Sequence, residues 1–481
     1  MTKLNTKPLA LLAVAAFWIA PLTEAAGPTS ASSYGPPYHE RIKETHKHFE
    51  AMLLSRHREV LQEIQGGKRV TPGWFKGLDN AALESLIADY FDTSHMQGGP
   101  TWHELYERCG EFLAQGVDHP IVIHVLAASR KSMGMDAKLK DYYVMAHEGY
   151  ADLGFPEFIR TWTGGEILLQ HLKERNGRAA RAQRAEISKL LEAALAKGQY
   201  DSSLGHTSFD EVVSYLVKPP ASDAEAEKYL EMFTSNSNVT EASRELIKAE
   251  YQFRLAWAAR GTGPAHTVGP AGAVGFERHM IRARGHLIRA MKADNTRVLP
   301  PAKMITVCMA GFPPKGTDAA KWFEIAMALQ IDTNTGFNNA RMAAAERWGG
   351  SNRNVMMIGD LADSLDRHDS LLPMHFIESV RFVAFDAMNP QPSVLRNAEL
   401  YQATTKAIDE MIRQPTHSSR VNSLLTVKLA LAVHAGRTDE ARRLAAGLGN
   451  RVNRKTLEAF RVEFDRVRTL AREGALAAHT E

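Results

Sequence analysis

Apolar residues in this chain recur at intervals of three and four rather than two, the spacing that gathers them on one face of an α-helix. Residues 38–65 set the pattern: Phe49, Met52, Leu53, Val60, Leu61 and Ile64 fall on one stripe, and the run stops at Gly66-Gly67. Over 79–92, Ala82, Leu83, Leu86, Ile87 and Tyr90 repeat it. The same spacing predicts helices over 101–115, 120–132, 136–152, 157–175, 179–197, 208–217, 222–234 and 240–259. It resumes over 276–293, 303–310, 317–329, 334–346, 351–366, 370–388, 393–413, 420–435, 438–447 and 453–473. Ser208 with Glu211, and Ser222 with Glu225, carry the capping-box spacing, and Pro120 suits a first helical turn. No series of alternating strands and hairpin turns interrupts the pattern, so the expected fold class is all-α.

One segment departs from it. Residues 261–275 (GTGPAHTVGPAGAVG) hold five Gly and two Pro, which predicts a long loop between an N-terminal helical array over 27–260 and a C-terminal array over 276–481. Such a loop serves either as a mobile lid or as a plain linker between arrays. Within the second array two stretches look like tetratricopeptide-type helix pairs. In 421–448, Ala430 and Leu431 precede a turn at Gly436, Thr438 is placed to cap, and Ala441 and Leu444 point back. In 318–346, Trp322, Ala326 and Leu329 precede the turn at Asp332, and Phe337, Arg341 and Ala344 follow it. A strict 34-residue register does not persist, so the expected architecture is an irregular α-solenoid of TPR-like pairs.

The amino terminus changes the picture of where the protein works. Lys3 and Lys7 precede the uncharged run PLALLAVAAFWIAPLT, and Glu24-Ala25-Ala26-Gly27 follows it. A basic start, a short apolar core and small residues behind it form a secretory signal, here residues 1–26, and predict a periplasmic or secreted bacterial protein. The apolar core is too short for a spanning helix, so contact with a membrane is expected only if that segment stays uncleaved. Composition adds little: of 481 residues, 44% are hydrophobic, and 58 Lys and Arg stand against 55 Asp and Glu. That balance gives no reason to expect nucleic acid as a partner. Two cysteines, Cys109 and Cys308, exclude a disulfide scaffold or a four-thiolate zinc site. Export makes a disulfide between them permissible, but their apolar contexts read as small buried hydrophobes.

The segment WFEIAMALQIDTNTGFNNARMAAAERWGGS, with Arg347, Trp348, Gly349, Gly350 and Ser351 closing it, resembles a family of bacterial TPR-like proteins, the domain of unknown function 4034. The stretch FLAQGVDHPIVIHVLAASRKSMG is also similar to helix pairs of related envelope proteins. The resemblance implies a fold and attaches no activity. Ala345 and Glu346 stand where that family is expected to carry a proline. Chemically, the two glycines permit a tight corner, Ser351 is placed to cap the next helix and Trp348 offers a broad anchor. The corner therefore reads either as a docking site, with Trp348 stacking and Arg347 pairing a carboxylate, or as a brace between helices.

Catalytic motifs are not found. His39-Glu40, His103-Glu104 and His147-Glu148 lack the second histidine, four positions after the first, that a zinc protease helix needs. No nucleophile elbow, phosphate loop or dinucleotide fingerprint appears. His39 and His46 with Glu50 could share a helix face as metal ligands, although a solvated amphipathic face explains them as well. Asp332, Asn334 and Gly336 imitate the start of a calcium loop without its spacing and read as a turn into a helix. Arg278, Arg282, Arg284 and Arg289, with Lys292, give one helix a basic surface that either meets an acidic partner or an anionic lipid face, or is simply solvated. Asn238-Val239-Thr240 matches a glycosylation sequon, and helix capping is the alternative. The expected function is an exported helical-repeat scaffold that binds a protein or peptide in the envelope. No catalysis, cofactor or metal is expected. The alternative is a hydrolase-like envelope enzyme whose His, Asp and Glu residues converge only on folding.

Overall fold

The computed structural model describes residues 34–478 apart from residues 74, 76–77, 201–212, 214–215, 217–222, 262, 264 and 387–388. All regular structure among these residues is helical. The first part of the chain forms α1 (Tyr38–Gln65), α2 (Asn80–Ser94), α3 (Trp102–Ala114), α4 (Pro120–Ser132), α5 (Leu139–Asp152), α6 (Glu157–Lys173), α7 (Gly177–Ala196), α8 (Asp223–Ser235) and α9 (Glu241–Arg260). It continues through α10 (Pro270–Ala293), α11 (Leu299–Met309), α12 (Ala319–Leu329), α13 (Asn334–Ala344), α14 (Asn352–Ser364) and α15 (Leu372–Arg381). The last elements are α16 (Ala398–Ile412), α17 (Val421–His434), α18 (Thr438–Leu448), α19 (Arg454–Ala459) and α20 (Phe464–Ala478). Each helix packs chiefly on its neighbours in sequence, so the stripe exposed by one pair is covered by the next and the chain grows as an α-solenoid. The N-terminal signal, the Ser208–Glu211 box and Ser222 of the second box lie outside the described residues.

Local signals act as the chemistry predicts at several ends. Thr240 caps α9 by accepting from the Ser243 N–H at 3.2 Å, which gives the sequon threonine a structural role. A capping box not anticipated from the sequence closes α3: Thr101 Oγ1 accepts from the Glu104 N–H and Glu104 Oε2 from the Thr101 N–H. Thr438, expected as a cap, is instead the first helical residue of α18, and Arg437 precedes it without a side-chain cap. Gly436, at φ 72°, turns the chain into the helix one residue early. Two long predicted helices are also divided. Residues 393–413 begin as a 3-10 turn, Pro392–Arg396, before Asn397 caps α16. Residues 453–473 break between α19 and α20, where Arg461 takes a positive φ of 54° and His434 Nε2 lies 2.7 Å from the Phe460 carbonyl oxygen.

The Gly/Pro-rich segment 261–275 is not a linker between two arrays. Pro270 opens α10, and α10 lies along α9 in the most extensive helix pairing among the described residues. The glycines expected to break a helix permit this approach: a Cβ at Gly272 would sit 2.7 Å from the Ala259 carbonyl oxygen, and one at Gly275 would sit 2.8 Å from the Ala259 methyl. The core is also divided elsewhere. One cluster runs from Phe49 to Ile247, a second from Leu246 to Val383 and a third from Phe376 to Val467. The joints therefore fall inside α9 and α15. Cys109 and Cys308 are free thiols buried in the first and second clusters, and burial pushes each up to about 12.

The two ends of the solenoid meet. Tyr38 N–H donates to Asp332, Arg41 donates to the Leu329 carbonyl at 2.8 Å, and Ser418 donates to the Gly99 carbonyl at 2.5 Å. Further along, Asn453 Nδ2 and Lys455 Nζ donate to the Ser132 and Lys131 carbonyls at 2.7 and 2.6 Å. The early helices α1, α2 and α4 are thereby tied to elements some 290 to 320 residues later, and the superhelix closes on itself.

Several buried histidines are held neutral by this packing. Burial moves His124 and His375 down to about 3, and His95 and His417 down to about 4. Because their folded pKa values lie below the unfolded value of about 6.5, the unfolded chain takes up protons first as pH falls. Stability is expected to be full above that value and to decline between about pH 6.5 and pH 4, by up to about 1.4 kcal/mol per pH unit for each histidine. Urea midpoints at pH 7.5 and 5.5 check this; an unchanged midpoint would mean that these rings accept protons in the folded protein.

Candidate functional site

The closure is built on one side chain. Neither α1 nor α15 has a side-chain cap from its own preceding residue. Asp332, fully buried in the turn between α12 and α13, supplies both: Oδ1 accepts from the Tyr38 N–H at 2.8 Å and Oδ2 from the Leu371 N–H at 3.0 Å. Two helix N-termini, each with unpaired donors and a positive dipole end, thus converge on one carboxylate. Burial raises the Asp332 pKa, against these backbone hydrogen bonds, which favour the charged form. Thr333 next to it caps α13 by accepting from the Gly336 N–H. His375 on α15 stacks on Phe337 at 4.1 Å, with its Nε2 3.1 Å from the Asp332 carbonyl oxygen. The sequence marked Asp332 only as a turn residue.

Two chambers open beside this joint. The larger, of about 730 Å³, is lined by Arg41, Arg297, Arg381 and Arg420, by Asp332 and Glu378, and by the neutral side chains of Gln330, Asn334 and Asn338. The smaller, of about 480 Å³, has aromatic walls formed by Tyr90, Trp102, Tyr143 and Trp162. Tyr38 and Ile42 of α1 and Ser94 at the end of α2 line both, so the start of α1 forms the partition. Polar groups in the aromatic chamber are Lys131, paired with Glu166 at 2.5 Å, and His124, whose Nδ1 and Nε2 lie 3.0 and 3.5 Å from the hydroxyls of Tyr150 and Tyr90. Burial pushes Tyr90 up to about 12 and His124 down to about 3. Both remain uncharged at neutral pH, far from the range where a general acid or base works best. The chambers are suited to holding a ligand by charge and aromatic contact.

The residues singled out in the sequence lie elsewhere. Gly349 takes φ 87°, and a Cβ on Gly350 would lie 1.9 Å from the Ala344 carbonyl oxygen, so both glycines serve a tight corner. Ser351 caps α14 by accepting from the Asn354 N–H at 3.2 Å. Trp348 meets Trp257 edge-on at 6.0 Å and lies under the Arg260 guanidinium, while Arg347 sits over Phe382. On the basic helix α10, Arg284 donates to the Phe312 and Pro313 carbonyls and Arg289 pairs with Glu245 at 2.6 Å. Arg278 and Arg282 are exposed. Neither set lines either chamber.

His46 is not on a solvated face: it is buried, with Nε2 3.1 Å from Glu50 and 3.5 Å from Asp92. His39 instead comes near Glu40 and Asp369, and their possible ligand atoms fall within 4.8 Å of one another. Arg367 already grips Asp369 through two hydrogen bonds of 2.8 Å and stands 3.6 Å from Glu40. The group is an ion-pair knot on the closing seam, in which the Arg367 guanidinium engages Asp369 and stands near Glu40. Arg41, Ser94, His124, Lys131, Glu166 and Arg420 carry no local signal, because the chamber walls they share are assembled from distant helices.

No family model and no curated protein matches the sequence. Among solved structures, the crystal structure of yeast Tom70 aligns over 92% of this chain and 96% of its own, at 12% identity and a TM-score of 0.21.

Replacing Asp332 tests the joint. Asp332→Ala leaves two buried N–H groups without an acceptor and is expected to cost about 3 kcal/mol, whereas Asp332→Asn keeps one acceptor and costs about half of that. Urea unfolding measures both, and equal midpoints for Ala and wild type would remove Asp332 from its role.

Proposed function

We propose that this chain is an exported helical-repeat scaffold that docks a protein or peptide partner in the bacterial envelope without catalysis. The Arg347–Ser351 corner supports kinship with the bacterial TPR-like family that it resembles, and the signal-like residues 1–26 support export. One observation carries the docking reading: two adjoining chambers, one cationic and one aromatic, share a wall of Tyr38, Ile42 and Ser94, and the cationic one joins the first helices to residues as far along as Arg420. That pairing suits an extended segment with a charged group and a bulky side chain a few ångströms apart. No helix among the described residues is long and apolar enough to cross a membrane. A second reading, an envelope hydrolase, draws on one feature, the unpartnered Oε2 of buried-side Glu166 in the chamber that also holds His124.

Affinity capture from the organism's own envelope fraction tests the scaffold. Asn334 is exposed on the chamber wall, so Asn334→Trp is expected to fill space there and reduce capture about tenfold while leaving the fold intact. Trp348→Ala is expected to lower stability by about 2 kcal/mol and to retain the partner. Loss of the partner from a folded Trp348→Ala, with Asn334→Trp unaffected, would place docking at the Arg347–Ser351 corner. Capture of nothing by the native chain would sink the scaffold reading.

A further inference from the structure

Helix α10 turns Met280, Ala283 and Leu287 to the core and leaves its opposite face in water. Val274, Ile281 and Ile288 fall seven residues apart, on one line along that outer face. Val274 is 65% exposed and Ile281 39%, two of the four large apolar side chains that are exposed among the described residues. Pro270, Ala271 and Ala273 beside Val274 are exposed as well. From Gly261 to Phe276 the sequence holds no Asp, Glu, Lys or Arg, so the helix begins with an uncharged apolar tip. A band of one sign follows it. Arg278, Arg282, Arg289 and Lys292 are exposed along one flank of the Val274–Ile288 line, and Glu277, the single carboxylate of α10, lies on the other. Arg289 is engaged by Glu245, and Arg278 touches the ring of His279. Arg282 and Lys292 have no carboxylate partner among the described residues.

We propose that the N-terminal part of α10 seats this protein on an anionic lipid surface. Pro270, Ala271, Val274 and Ile281 enter the headgroup layer, and Arg278, Arg282 and Lys292 meet the headgroup phosphates. A bilayer offers both halves of this match at once, an apolar interior directly beneath a sheet of negative charge. An acidic protein face would satisfy the arginines and leave Pro270 and Val274 in water. Such seating needs neither a spanning helix nor an N-terminal anchor. The surface lies outside both chambers, so membrane seating and partner docking stand or fall separately.

Co-sedimentation with two kinds of vesicle tests this, one of phosphatidylcholine alone and one of an equimolar mixture with phosphatidylglycerol. The protein is the mature chain, residues 27–481, which keeps every described helix and lacks the apolar run near the N terminus that would bind lipid itself. It is expected to bind the anionic vesicles about a hundredfold more tightly at low salt, and to lose that preference as salt screens the headgroups. Arg278→Glu combined with Arg282→Glu is expected to abolish the preference with an unchanged urea midpoint, since both side chains are exposed. Val274→Ser is expected to weaken anionic binding about fivefold. Should the double variant fail to fold, Val274→Trp keeps the test: its emission is expected to shift to the blue on anionic vesicles. An unshifted emission, or equal binding of the native chain to both vesicles or to neither, overturns the proposal. A preference that survives the folded double variant removes α10 as the contact. Displacement from the vesicles by soluble poly-glutamate, with Val274→Ser without effect, replaces the bilayer by an acidic protein partner.

Discussion

A buried carboxylate shared by two helix N-termini is the interaction on which the closed form of this solenoid depends. An open array of helix pairs leaves its first and last elements with exposed faces and unpaired end groups. Here Asp332 gathers the first N–H of α1 and the N–H ahead of α15 onto its two oxygens, across 294 and 39 residues of chain. Desolvating a carboxylate is costly, and two helix dipoles with their backbone donors offset that cost at the point where the charge is buried. The Ser418–Gly99 and Asn453–Ser132 contacts extend the same seam.

Closure completes the cationic chamber, where side chains of α1 and α2 meet residues 297–420. The first turns of α1 lie across the junction, so Tyr38 and Ile42 become a partition rather than the edge of an open groove. On one side, arginines from α1, α15 and the start of α17 meet with too few carboxylates. On the other, tyrosine and tryptophan rings from α2, α3, α5 and α6 surround a Lys131–Glu166 pair. The contrast follows from which helix faces are turned inward. It places a charged wall and an apolar wall side by side, and burial keeps His124 and His375 uncharged.

The Arg347–Ser351 corner shows how a distinctive local sequence can be accounted for by packing. Its two glycines answer to a positive φ and to the Ala344 carbonyl, its serine to a helix end and its tryptophan to Trp257 and Arg260. A motif that stands out because it breaks the helical pattern marks the place where the chain must turn. The glycines of 261–275 behave similarly: glycine at this density predicts a break, yet Gly272 and Gly275 sit in α10, where Ala259 of α9 comes too close for a side chain.

The sequence by itself determined that the protein is helical, where most of its helices lie and that successive pairs stack. Periods of three and four, caps such as Thr240 and Ser351, and small residues such as Ala430 and Ala441 are local properties, fixed by the few residues around them. It did not determine where the core divides, that Asp332 is more than a turn residue, or that Arg420 faces a cavity. Those facts require groups separated by tens to hundreds of residues to meet, and nothing in a helical period encodes which distant faces will be brought together. Only the tertiary structure decided the closure, and with it the balance of charge and burial that makes the candidate site.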